Sequence, residues 1–191
     1  MKEKSYLQQK LQRWQSYIEE YRLPRWEELP DFGLYMDQVV LLLEQYLSFI
    51  PATERERVVT AAVVNNYVRL KLMPAPVKKK YGRQHLAYLL MLLTLKQVLS
   101  MGDIQQLLPQ PPLTVAEETE PLYREFCRRF DRTIPFFSQQ LQQAAESVER
   151  AEDRQEATRS LVMENVLLAG YFQILAQKLL RLTEPPKEEE T

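Results

Sequence analysis

Three observations predict an all-α fold. The 191 residues include only four glycines, too few for the positive-φ turns of an all-β chain. Leu, Gln, Glu, Arg and Lys, which favour helix, are abundant. Apolar residues recur at spacings of three and four along most of the chain. With 45% hydrophobic content, the length suits one globular domain, or one domain with a helical appendage.

Each element follows from local pattern. Leu7, Leu11, Trp14, Ile18 and Tyr21 mark one face of an amphipathic helix from about Lys4 to Arg22. LPRWEELP (23–30) reads as one short helical turn, with Pro24 in its first turn, Pro30 at its end and Trp26 pointing inward. Asp31 is placed to cap a helix over roughly Leu34 to Phe49, whose core face is Met36, Val39, Val40, Leu43, Tyr46 and Leu47. Pro51 breaks it, Thr53 is placed to cap a turn through ERER, and Val58-Val59 is a short β-prone pair. Thr60 is an N-cap for a helix from Ala61 to Leu72, which Pro74 and Pro76 stop.

MPAPVKKKYGR (73–83) reads as a loop with a short strand at Val77 to Tyr81. A long helix is expected from about Gln84 to Ser100, and a short one after Gly102. The prolines of PQPPLT make 109–116 a linker between an N-terminal module (1–108) and a C-terminal region (117–183). In that region Phe126, Phe130, Phe137, Leu141, Ala144 and Val148 form a helical stripe that Pro135 kinks or divides. The polar run ERAEDRQEATR (149–159) is either an exposed continuation or a hairpin connection. Leu161 to Leu182 is a strongly apolar helix, and 184–191 is expected to be a disordered tail.

Several function classes are disfavoured. Cys127 is alone, which excludes an intrachain disulfide and a CxxC pair and suits a reducing cytoplasm. MKEKSYLQQKLQRW has no apolar leader core. Leu86 to Leu95 is about half of the ~20 residues a spanning helix needs, so no membrane is expected. GxSxG, HExxH, P-loop and GxGxxG motifs are absent. His85, the only histidine, opens a helix as a surface or packed residue, and Cys127 in FCRRF reads as a small buried hydrophobe. Glu117, Glu118 and Glu120 sit at a helix start, where acids complement the dipole. The chain is therefore expected to be no enzyme, with no metal and no cofactor.

Charge is segregated. From Arg57 to Gly102 there are eight Lys/Arg and no Asp or Glu, although the whole chain has a net charge of −1. On a helical wheel Asn65, Asn66 and Arg69 fall within about 100° of one another, on the side of Ala62. Val64, Val68 and Leu72 share another face, with Val63 and Tyr67 beside them. Asn can pair bidentately with adenine and Arg with guanine, while Lys78, Lys79, Lys80 and Arg83 follow at once and suit phosphates. Tyr67 is placed for either a phosphate or the core.

NNYVRLKLMPAPVKKKYGRQHLAYLLMLLTLKQVLSMGDIQQLL resembles a MerR-type winged helix-turn-helix. The resemblance puts the end of a recognition helix at Leu72-Met73-Pro74 and a basic wing that closes on Tyr81. A helix follows from His85-Leu86, and a short last helix follows Met101-Gly102-Asp103-Ile104. The family's glycine before the Leu-Leu step is Lys71 here, and the wing is shorter. Residues 23 to 108, with NNYV, PxPxKKKY and HLAYL, also resemble an uncharacterised family of low-GC Gram-positive bacteria, catalogued as a domain of unknown function.

These readings together predict a cytoplasmic DNA-binding transcriptional regulator. Its base contacts would be Asn65, Asn66 and Arg69, and its phosphate contacts Lys78, Lys79, Lys80 and Arg83, with Tyr67 as a further candidate. The apolar C-terminal helices predict a homodimer, which would place two reading modules on two half-sites. Phe126, Phe130, Phe136, Phe137, Tyr171 and Phe172 are candidates for lining a small-molecule effector pocket, with plain core as the competing role. The alternative is a helical interaction module whose basic face meets an acidic partner.

Overall fold

The computed structural model describes residues 6–50, 58–108 and 116–182. Among them are seven α-helices: α1 (Tyr6–Glu20), α2 (Met36–Tyr46), α3 (Ala61–Arg69), α4 (Arg83–Leu95), α5 (Met101–Leu107), α6 (Ala116–Arg150) and α7 (Arg154–Leu182). A 3-10 turn spans Trp26–Glu28. Among the described residues extended pairing is confined to two isolated antiparallel bridges, Leu34 with Tyr81 and Val77 with Lys80, so the short strand expected at Val77 to Tyr81 does not form. The expected all-α class stands.

The core is built around α4. All residues from His85 to Leu93 are buried, so this helix is enclosed on every side. A helix that is apolar all round needs neighbours all round. α2 supplies Val39 and Leu43, with Leu47 just past its end, α3 supplies Val64 and Tyr67, and α6 supplies Tyr123 and Cys127. Each fully buried aliphatic side chain contributes about 1.5–3 kcal/mol. Trp26 is buried as expected, and salt bridges join its segment to α6 through Arg25 with Asp131 (2.8 Å) and Arg124 with Glu27.

α6 is one helix through both Pro121 and Pro135, so the expected division at Pro135 does not occur. Its buried stripe is Tyr123, Cys127, Ile134, Ser138, Leu141, Ala145 and Val148. Pro135 is exposed and lies off that stripe. Phe137 is 40% exposed and edge-on to Trp14 at 5.6 Å rather than in the core. A smaller apolar cluster of Ile18, Ile134 and Leu141 seals α1 against α6, with Phe49 and Phe130 packed on it.

Helix ends show where local chemistry overrode the expected bounds. α2 begins at Met36 with Tyr35 as its cap residue, and Gln38 accepts from the Tyr35 N–H (2.9 Å); Asp31 does not cap it. Thr60 caps α3 as expected, its Oγ1 accepting from Val63 N–H at 3.2 Å. α5 is capped by Ser100, which accepts from Asp103 N–H, while Asp103 returns a bond from Ser100 N–H. The connection between α6 and α7 is a hairpin turn, with Asp153 Oδ1 accepting from Gln155 and Glu156 N–H at 2.9 and 3.0 Å. Thr53 and the ERER turn, the 109–115 stretch and the 184–191 tail lie outside the described residues.

Candidate nucleic-acid interface

The candidate surface has two parts, the outer strip of α3 and the turn at Lys78-Lys79. α3 turns its apolar face to the core because Val64 and Tyr67 alternate with polar positions at helical spacing. That leaves Ala61, Ala62, Asn65 and Arg69 exposed and Asn66 half-buried. Arg69 Nη2 donates to Asn66 Oδ1 at 2.7 Å, one turn away on the same strip. The amide and the guanidinium are thus held as a pair, and none of the strip is buried under the C-terminal helices. Tyr67 lies in the core at 4% exposure, and burial raises its phenol pKa.

α3 stops at Arg69, three residues short of the expected Leu72. The reason is a Schellman turn: Leu72 N–H donates to Tyr67 O (3.0 Å) and Lys71 N–H to Val68 O (3.0 Å). The turn needs a left-handed residue, and Lys71 takes it with φ 57°. The chain then folds back on itself, with Val77 and Lys80 exchanging both backbone bonds at 3.1 and 2.9 Å. Lys78 (φ 49°) and Lys79 (φ 63°) form the tip. Two successive positive φ values are the signature of a type I′ turn, whose usual residues are Asn-Gly.

Among the described residues, the positive-φ non-glycines are these three lysines, and no glycine has positive φ. Each left-handed lysine costs roughly 1–2 kcal/mol that glycine would spare. All three are exposed.

The tip is held from below. Tyr81 and Leu34 exchange backbone bonds at 2.8 and 2.9 Å, so the segment before α2 forms a third edge of the hairpin. Gly33 is required there, since a Cβ would come within 2.8 Å of Lys80 Cβ. Lys80 Nζ lies over the Tyr35 ring at 5.3 Å, and Phe32 and Val77 are 63% and 69% exposed beside the lysines. His85 Nδ1 accepts from Gly82 N–H (2.9 Å) and Nε2 bonds Ala75 O (3.2 Å), which pins both ends of the loop to α4. Arg83 Nε donates to Leu29 O (2.9 Å), with its guanidinium over Trp26 at 5.8 Å. Arg83 therefore ties α4 to the 3-10 segment, a bond the sequence did not signal.

The acid-free run is not an acid-free neighbourhood. Asp37 and Glu44 of α2 line a pocket with Thr60 and Ala61, so acids bound the surface at the start of α3. No sequence signal near 57–102 reveals this, because α2 brings them in. Of the aromatic set proposed for an effector, Phe130 and Phe137 line an apolar cavity of about 410 Å³ with Trp14, Ile18, Tyr21 and Phe49. Phe136, Tyr171 and Phe172 are exposed instead. Cys127 is buried, with Sγ 3.9 Å from Pro24 O, and burial raises its thiol pKa, which leaves it unactivated.

No curated protein and no solved structure matches the chain. A family model does match, over residues 24–126, from the 3-10 segment through both parts of the candidate surface to the first turns of α6. That stretch covers more than half of the chain and includes Tyr123, whose hydroxyl donates to Pro24 O at 2.8 Å. The chain belongs to the DUF1836 family, a domain of unknown function.

Proposed function

We propose that this protein is a DNA-binding transcriptional regulator whose 34–107 region works as a MerR-like winged helix-turn-helix. In this reading α3 enters the major groove, and Asn65, Asn66 and Arg69 meet base edges. Lys71, Lys78, Lys79 and Lys80 meet phosphates. Tyr67 and Arg83 are left to packing, since one is buried and the other is bonded to Leu29.

The observation that carries the reading is the placement of lysine at all three left-handed positions among the described residues. Strain of this kind gathers at functional sites, where the side chain is worth more than the relaxed backbone. The order of elements also supports it: an extended residue at Leu34, two helices, a hairpin bonded back to Leu34, and a further helix. Two copies acting together would present two such faces to paired half-sites. The apolar cavity around Phe130 and Phe137 is the proposed effector site. The rival reading is an interaction module whose basic face meets an acidic protein; Asp37 beside the start of α3 does not separate the two, since a carboxylate there opposes a phosphate backbone and an acidic protein alike.

A titration with sheared genomic DNA at rising salt decides between them. DNA binding through these lysines predicts log K falling linearly with log[salt], by about 0.9 for each phosphate neutralised. A Lys78→Glu/Lys79→Glu/Lys80→Glu variant should lose nearly all affinity with its helix content unchanged. Absence of binding at low salt, or an unaffected triple variant, removes the DNA reading.

A further inference from the structure

We propose that the outward face of α7 is a dimer interface, on which a second copy of this chain lays its own α7 antiparallel about a two-fold axis at Tyr171. This deepens the reading that the chain pairs, and it does not depend on what the basic face binds. The orientation of α7 is set by its inner contacts. Gln173 Nε2 donates to Val98 O (2.9 Å), Gln177 Nε2 donates to Asp103 Oδ2 (3.3 Å), and Ala176 packs on the main core. At about 100° per residue, Glu164, Leu167, Tyr171, Ile174 and Lys178 then point the opposite way. Leu167, Tyr171 and Ile174 are 61%, 68% and 61% exposed.

The surface is too large to be incidental. No residue of α7 is buried, and eleven of its large apolar side chains are exposed. Val162 and Val166 border the groove against α6, and the other nine are spread over the open sides of α7, where together they expose more apolar surface than the ~300–600 Å² patch of an ordinary monomer.

Charge says which occupant fits. The apolar centre of this face is flanked by one acid and one base, Glu164 and Lys178, each seven residues from Tyr171. Neither forms an ion pair among the described residues. A two-fold axis at Tyr171 reverses the second helix, so each Glu164 lies against the other copy's Lys178. One surface thus completes itself, which is the property of an isologous contact. A parallel pairing would set Glu164 against Glu164 and Lys178 against Lys178. The apolar centre supplies the affinity, while the ion pairs select direction and register.

Sedimentation velocity of the full chain, without DNA, tests this. The expected species is a dimer. Tyr171→Asp should give a monomer with unchanged far-UV circular dichroism, since no α7 side chain is buried in the chain's own core. Glu164→Lys should weaken the dimer about tenfold or more by placing lysine against lysine. Adding Lys178→Glu should restore it, which only the antiparallel register allows. Three results overturn the proposal: a wild-type monomer, including one that binds phosphatidylcholine/phosphatidylglycerol vesicles; a dimer indifferent to Tyr171→Asp; or a double exchange that fails to restore pairing. A monomer that still binds DNA sinks this inference alone, and a dimer that ignores DNA sinks only the DNA reading.

Discussion

His85 joins the loop to the core by two bonds of opposite sense, accepting at Nδ1 from Gly82 N–H and bonding Ala75 O through Nε2. That arrangement needs the neutral ring with its proton on Nε2, because a proton on Nδ1 would face the Gly82 N–H. Burial holds its pKa below the ordinary histidine value of 6.5. With the folded pKa below the unfolded one, the unfolded chain binds the extra proton first as pH falls. The stabilisation is complete above the unfolded value and is lost as pH drops from about 6.5 through the folded pKa. His85 is the only histidine, so this window belongs to it. Urea unfolding from pH 8 to 5 should show wild-type stability falling in that window. His85→Gln, which can keep both bonds without titrating, should stay flat there; parallel curves would refute the assignment. The sequence placed His85 in a helix's first turn as a surface or packed residue; its burial and its two backbone partners depend on the loop returning to α4.

The hairpin and the helix that feeds it show what elements owe to single backbone positions. α3 reads from sequence as continuing to Leu72, which shares a face with Val64 and Val68, with Pro74 and Pro76 as the stop. It ends at Arg69 because Lys71 adopts the left-handed conformation and the Schellman bonds close over it. Lys71→Gly should therefore stabilise the fold by about 1 kcal/mol, the relieved strain less the entropy that glycine adds to the unfolded chain. The measurement is a rise in denaturation midpoint with unchanged slope. The same variant should weaken DNA binding if Lys71 meets a phosphate, which separates stability from function. The sequence pointed to a short strand at Val77 to Tyr81, where the structure has a tight turn between isolated bridges, and it did not reveal the partner of Tyr81. Leu34 pairs with Tyr81 across 47 positions, and Gly33 is needed there because Lys80 crosses it closely. α6 carries the opposite lesson, since Pro135 marks a break by local rules and yet stays inside one helix.

At the scale of the molecule, α4 is the enclosed centre, α2, α3 and the first half of α6 pack on it, and α7 lies outermost. The candidate DNA surface and the proposed dimer face therefore belong to different elements. That separation permits a joint test. A chain made monomeric by Tyr171→Asp keeps its lysines, so each bound particle should neutralise half as many phosphates. Its slope of log K against log[salt] should be about half that of the wild type. An unchanged slope would mean that only one copy of the dimer touches DNA.

Much of this fold was legible without coordinates. Glycine poverty and helical spacing determined the all-α class, Thr60 determined where α3 begins, and the apolar run from Leu86 marked α4 as a core helix. These are local properties, set by φ/ψ preference, caps and periodicity within a few residues. The tertiary structure alone decided which charges share a surface. It removed Tyr67 into the core, gave Arg83 to Leu29, and brought Asp37 and Glu44 beside α3. It also decided that α7, as apolar as a core helix in sequence, lies on the outside of the chain. Burial is a property of what packs on a helix, and periodicity records only which faces need covering, not whether the same chain or another copy covers them.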